Sequence, residues 1–121
     1  MDFSNKTVVV TGGTGALGTA VVARLLAAGA RCTVPYVHEA EAQRFSHAGD
    51  PNVKLIPVSN LADEVMVAKV YDRLTPWASI HIAGGFAAGN VSETGHQALM
   101  AQLDSNLVSC FLCCRAAVRA M

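Results

Sequence analysis

Hydrophobic and polar positions along this chain switch repeatedly between two periods, and the switches mark out the expected elements. Thr7 to Val10 is a continuous apolar, β-branched run, which suits a strand covered on both faces. From about Thr14 the apolar positions Leu17, Val21, Val22, Leu25 and Leu26 fall at helical spacing, with Arg24 off that face. Gly29 then stands where a left-handed residue ends a helix. Cys32 to Val37 is expected as a second strand, in which Pro35 must sit at the exit or forfeit a ladder bond. A short polar helix over Glu39 to Phe45 and a turn at Gly49-Asp50-Pro51-Asn52 follow. Val53 to Val58 forms a third strand. Asp63 is placed to cap a helix through Val67, Val70, Tyr71 and Leu74, which Thr75-Pro76 breaks. A fourth strand, Ser79 to Ala83, stops at Gly84-Gly85. A loop through Gly89 and Asn90 leads to a long helix from about Thr94 to the end.

Strands alternating with helices require right-handed crossovers and therefore a parallel sheet. The expected fold class is α/β: a Rossmann-like parallel sheet of strand order 3-2-1-4 with helices on both faces. That is the first half of a doubly wound sheet, with a ligand at the carboxyl ends of the strands. At 121 residues one domain is expected over 1–121, with no repeat, low-complexity segment or internal boundary.

The chemistry concentrates where the first strand ends. In Val8-Val9-Val10-Thr11-Gly12-Gly13-Thr14-Gly15-Ala16-Leu17-Gly18, glycines three apart follow the strand and open a helix. Such a turn aims backbone N–H groups and the positive end of a helix dipole outward, and glycine lets a pyrophosphate approach without a Cβ in the way. A plain turn needs fewer glycines than this. Replacing Gly12 by a bulky residue is expected to abolish dinucleotide affinity while the fold survives.

Composition narrows the partners. Nine basic residues balance nine acidic ones, which argues against nucleic acid or an anionic membrane. No apolar run approaches the roughly 20 residues of a membrane span, and the first residues lack signal-peptide character, so a cytoplasmic protein is expected. Hydrophobic residues reach 52% and charged ones only 15%, an apolar surplus for one domain. Cys110, Cys113 and Cys114 are spaced to share a helical face, and Cys32 lies in a strand. With no second Cys pair or His-x-His nearby, they are expected to pack rather than bind metal.

The glycine loop, the end of the fourth strand and the last helix together resemble the short-chain dehydrogenase/reductase family, and the resemblance covers nearly the whole chain. Thr11 to Gly18 is similar to the family's cofactor loop in its Thr-Gly-x-x-Gly-x-x-Gly form; the commoner form places glycine where Ala16 stands. Asn60-Leu61 falls where the family has an Asp and an apolar residue near the adenine ring. His81-Ile82-Ala83-Gly84 replaces Asn-Asn-Ala-Gly and keeps the small pair. Asp104-Ser105-Asn106-Leu107 resembles the segment carrying the family's catalytic-helix asparagine.

The resemblance implies an NAD or NADP site at Gly12, Thr14, Gly15, Leu17, Gly18, Tyr36, Asn60, Leu61, Ala83 and Gly84. It makes Asn106 the candidate catalytic position and implies hydride transfer between NAD(P)H and a carbonyl or alcohol. His81, inside a strand, is expected as a hydrogen-bonded structural residue. The family's Tyr-x-x-x-Lys pair and its serine follow the last helix, and this chain ends within that helix. Tyr36 and Tyr71 are followed four residues on by Ala40 and Thr75. A fragment or truncated product, binding dinucleotide without complete catalytic machinery, is therefore expected, the alternative being a non-catalytic binding or assembly module. Cofactor choice stays open: Tyr36 and Val37 at the end of strand two are neither acidic nor arginine, while Glu39 favours NAD and His38 NADP. The apolar stripe Leu103, Leu107, Cys110, Phe111, Cys114 and Val118, with an open edge at strand four, implies a homo-oligomer.

Overall fold

The computed structural model describes residues 1–121. Its strands are β1 (Thr7–Thr11), β2 (Arg31–Tyr36), β3 (Val53–Pro57) and β4 (Ala78–His81). Its helices are α1 (Ala16–Ala27), α2 (Glu39–Arg44), α3 (Glu64–Tyr71), α4 (His96–Leu103) and α5 (Ser109–Ala120), with a π-helical turn at Asp104–Val108 joining the last two. The four strands form one parallel sheet of order β3-β2-β1-β4. This is the Rossmann-like topology expected from the alternating periods.

The continuous apolar run of β1 follows from two-sided burial. Val8 and Val10 pack with Val22, Leu25, Cys32 and Val34 under α1, whereas Val9 faces Val67, Val70, Leu112 and Ala117 of α3 and α5. Each of the three valines is fully buried, and burying one such side chain stabilises by roughly 1.5–3 kcal/mol. β1 thus joins both cores.

Pro35 lies inside β2, opposite Ile56 of β3. Cys32 N–H points to β3, bonding Asn52 O, while Arg31 N–H points to β1, bonding Lys6 O. Alternation then turns the nitrogen of Pro35 toward β1. Pairing with β1 has already ended at Val9↔Thr33, so no ladder bond is forfeited.

The helix ends follow their side chains. Asp63 caps α3, its carboxylate accepting from Val65 N at 2.7 Å and Met66 N at 3.2 Å. Gly29, at φ +86°, closes α1 with Gly29 N–H bonding Leu26 O and Ala30 N–H bonding Leu25 O, the paired pattern a left-handed residue permits.

Three expectations need correction. α1 begins at Ala16, because Thr14 and Gly15 are still in the turn, and Leu17 is therefore 65% exposed instead of packed in the core. The final helix is not uniform: it starts at His96 and widens at the π-helical turn. The cysteines of α5 also do not share one environment. Cys113 is buried against α3 and Cys114 is exposed, since successive helical positions lie about 100° apart and the α3 contact falls on one side only. Burial, then the neighbouring Cys114 and Cys110, push the Cys113 thiol up to about 12. That thiol is a packing group.

Candidate functional site

The carboxyl ends of β1, β2 and β4 converge on a cleft of about 470 Å³, inside the range of small-molecule sites. Its floor is the turn from β1 to α1. Gly12 adopts φ +70°, and a Cβ there would lie 2.6 Å from Ala83 N. A Cβ on Gly18 would overlap Gly12 O and approach Gly13 Cα at 2.5 Å. These two glycines let three backbone segments meet. Substitution of Gly12 therefore disturbs the turn itself, which corrects the expectation that the fold survives such a change.

Gly15 differs. Its backbone is extended (φ −76°, ψ 177°), and a Cβ would meet only Gly12 O at 3.4 Å. The fold does not require a glycine here, yet the position lines the cleft. Gly15 N–H bonds Gly12 O and Thr19 N–H bonds Gly15 O, so the intervening N–H groups of Ala16, Leu17 and Gly18 have no intrahelical acceptor. No side chain caps α1 and no acid stands in its first turn. Free donors at the positive end of a 12-residue helix, beside a residue with no Cβ, fit a phosphate.

The expected site residues gather around this floor: Gly12, Thr14, Gly15, Leu17, Gly18, Tyr36, Asn60, Leu61, Ala83 and Gly84 all line the cleft. Their side chains are unequally available. Thr14 Oγ1 donates to Glu41 Oε2 at 3.0 Å. Asn60 Oδ1 accepts from Ala62 N at 2.8 Å, tightening its own turn and leaving the amide nitrogen without a partner in the chain. Leu61 is largely packed into the core beside Val58 and Val67 and offers the cleft only an edge. Partial desolvation, then the Glu39 carboxylate beside it, raise the Tyr36 phenol above its ordinary value.

The wall above β4 is set from two sides. Ile82 N–H bonds Thr11 O at 3.1 Å, and Ala83 N–H reaches Thr11 Oγ1 at 3.4 Å. Asn106 sits in the π-helical turn, a device that widens a helix and often marks functional sites. Its Oδ1 accepts from Gly85 N at 3.2 Å, and its Nδ2 donates to Gly85 O at 3.0 Å and Gln102 O at 2.9 Å. Asn106 does not line the cleft; it touches it through the Gly84–Gly85 turn and through Ser105, to whose Oγ its Nδ2 donates at 3.1 Å. Ser59, Ser105, Ser109 and Glu41 line the cleft as well, and none of them stood out in the sequence as a site residue. The four-residue spacing of Ser105 and Ser109 was visible, and their link (Ser109 Oγ donating to Ser105 O at 2.7 Å) depends on it.

His81 lies outside this cleft, and the expectation of a hydrogen-bonded role fails, because neither ring nitrogen has a hydrogen-bond partner within the chain. Nδ1 is buried without a partner. Burial lowers the imidazole pKa below its ordinary value, so the folded chain holds His81 neutral where the unfolded chain takes up a proton. Stability is then complete above the unfolded value near 6.5 and declines as pH falls from there toward the folded pKa. His81→Asn should flatten that part of the stability curve. Urea midpoints between pH 7.5 and 5 check it, and an unchanged slope in the variant would remove His81 as the cause.

Comparison with known proteins places these features. The family model for short chain dehydrogenase matches residues 6–121. A short-chain type dehydrogenase/reductase from Mycobacterium ulcerans is 25% identical, with a TM-score of 0.85, covering 100% of this chain and 48% of that one. A short-chain dehydrogenase/reductase from Serratia marcescens is 26% identical, with a TM-score of 0.83, covering 100% and 53%. The chain thus spans about half the length of these structures. No curated protein matches it.

Proposed function

The chain belongs to the short-chain dehydrogenase family, and we propose that it forms the NAD(P)-binding portion of an oxidoreductase acting on a carbonyl or alcohol. One observation carries this reading: the free N–H groups of Ala16, Leu17 and Gly18 face a position, Gly15, whose missing side chain the fold does not need. The cofactor, when bound, supplies the hydride-carrying ring. In this reading the turn from Gly12 to Gly18 holds the pyrophosphate, with Thr14 and Leu17 at its rim. Tyr36 flanks the adenosine ribose, Asn60 and Leu61 flank the adenine, and Ala83 and Gly84 leave room along β4. Asn106 acts as a positioning residue by fixing the Gly84–Gly85 turn. Residues 1–121 work as one dinucleotide-binding domain.

The second reading, binding without catalysis, is favoured by the two phenols present. Tyr71 is buried with its hydroxyl 2.8 Å from Ser79 Oγ, and burial pushes it up to about 12. Tyr36 has no lysine four residues on. Neither phenol is placed as an acid or base tuned near neutral pH. Calorimetric titration of the 121-residue chain with NADH and NADPH, beside absorbance assays on a panel of aldehydes and ketones, tests both readings. We expect saturable binding of at least one dinucleotide without turnover above a no-enzyme control. Absence of binding would overturn the nucleotide role, and turnover would overturn the non-catalytic reading of this chain.

The surface has further implications. No helix is long and apolar enough to cross a membrane, and all four cysteines are free thiols, which suits a reducing compartment. We propose a cytoplasmic location, and the balance of nine basic and nine acidic residues argues against nucleic acid or an anionic membrane as partner. The exposed outer face of α5 supports a homo-oligomer.

A further inference from the structure

The choice between the two dinucleotides turns on charge near the adenosine ribose, which in this topology lies beside the end of the second strand. β2 ends at Tyr36 without an acid or an arginine there, so its own residues do not decide. The next element does. α2 folds back so that Glu41 reaches the cleft, and its Oε2 accepts from Thr14 Oγ1, 27 residues earlier, at 3.0 Å. The bond spans from the phosphate-binding turn to the segment after β2 and keeps the carboxylate against the cleft between them. Among the residues lining the cleft, Glu41 is the one carboxylate, and neither lysine nor arginine occurs. The one basic-capable side chain there is His38, which lies one residue before α2.

Building on the nucleotide role given above, we propose that Glu41 makes this cleft selective for the dinucleotide with a free ribose 2′-hydroxyl, NAD over NADP. A hydroxyl is a donor to the carboxylate oxygens, Thr14 Oγ1 engaging only one of them. A 2′-phosphate brings up to two negative charges toward that carboxylate with no cation lining the cleft to offset them. Like charges brought together at a binding surface are strongly disfavoured. The proposal needs no contribution from Glu39 and assigns His38 no phosphate-binding role.

Direct binding tests this without recourse to activity. Titration calorimetry at pH 7.5 should show NADH bound at least roughly 30-fold more tightly than NADPH, a difference that added salt narrows. Glu41→Gln keeps the shape and the bond to Thr14 while removing the charge, and it should shrink the ratio to below about fivefold, mainly by tightening NADPH. Circular dichroism confirms that the variant folds. The wild-type ratio stands alone if it does not, and the fragments 5′-AMP and 2′-phospho-AMP repeat the comparison on the adenosine end only. Equal affinities, tighter NADPH, or an unchanged ratio in folded Glu41→Gln each overturn the proposal while leaving the nucleotide role intact. Binding of neither dinucleotide overturns the nucleotide role itself.

Discussion

Gly15→Val should abolish measurable dinucleotide binding in a chain that remains folded. The extended backbone at Gly15 (φ −76°, ψ 177°) is one that a β-branched residue adopts readily. A Cβ there meets Gly12 O at 3.4 Å, an ordinary contact. The folding cost is correspondingly small: glycine is only a moderate N-cap, and its replacement by valine costs about 1 kcal/mol or less. The effect on a ligand is different in kind. Two methyl groups would stand in front of the free N–H groups of Ala16, Leu17 and Gly18, where the phosphate oxygens must approach within hydrogen-bond distance. Each of those charge-assisted bonds contributes about 1.5–3 kcal/mol. Losing two of them weakens binding by at least roughly 100-fold. Gly18→Val provides the contrast, because its Cβ would overlap backbone atoms of Gly12 and Gly13, and it should fail to fold. Calorimetry with NADH together with thermal melting separates the two outcomes. A folded Gly15→Val chain that binds as the wild type does would move the phosphate elsewhere.

Much of this arrangement was legible because it rests on local rules. The sheet order followed from strands alternating with helices, and the cap at Asp63 and the stop at Gly29 follow from neighbours within a few residues. What escaped were contacts between residues distant in sequence. Glu41 meets Thr14 across 27 residues, and the periodicity of α2, only six residues long, gives no sign of which side returns to the cleft. Likewise the division of labour among the glycines cannot be read from their spacing. Gly12 and Gly18 relieve backbone crowding set by β4 and the turn, while Gly15 relieves none. The widened turn at Asp104–Val108 carries no proline or glycine to announce it, and there Asn106 is engaged with Gly85, 21 residues earlier. The apolar stripe on the last helix was visible, but its direction was not. Two stripes run along α5 and the turn before it: Leu112, Cys113 and Ala117 face α3, while Leu107 of the π-helical turn, Phe111 and Val118 face out.

That outward stripe sets the second large expectation: the 121-residue chain should self-associate at low micromolar concentration through α5. Leu107, Phe111 and Val118 are 62%, 59% and 74% exposed and lie one helical turn apart, or two, on one side. A second copy of the same helix is the occupant that matches the stripe, since a two-fold arrangement sets each apolar side chain against its equals. The one guanidinium beside the stripe, Arg115, lies 5.6 Å from the centre of the Phe111 ring and is already paired with Glu64 at 2.8 Å, which offsets its charge. Burying one such side chain contributes about 1.5–3 kcal/mol, and two-fold symmetry counts each twice. Phe111→Ser should therefore raise the dimer dissociation constant by roughly 100-fold or more. The inward face stays untouched, so the fold survives. Sedimentation equilibrium between 1 and 100 μM, about the range that brackets weak dimers, provides the check. A wild-type chain that stays monomeric throughout would end the idea, and so would a Phe111→Ser chain that associates as tightly as the parent.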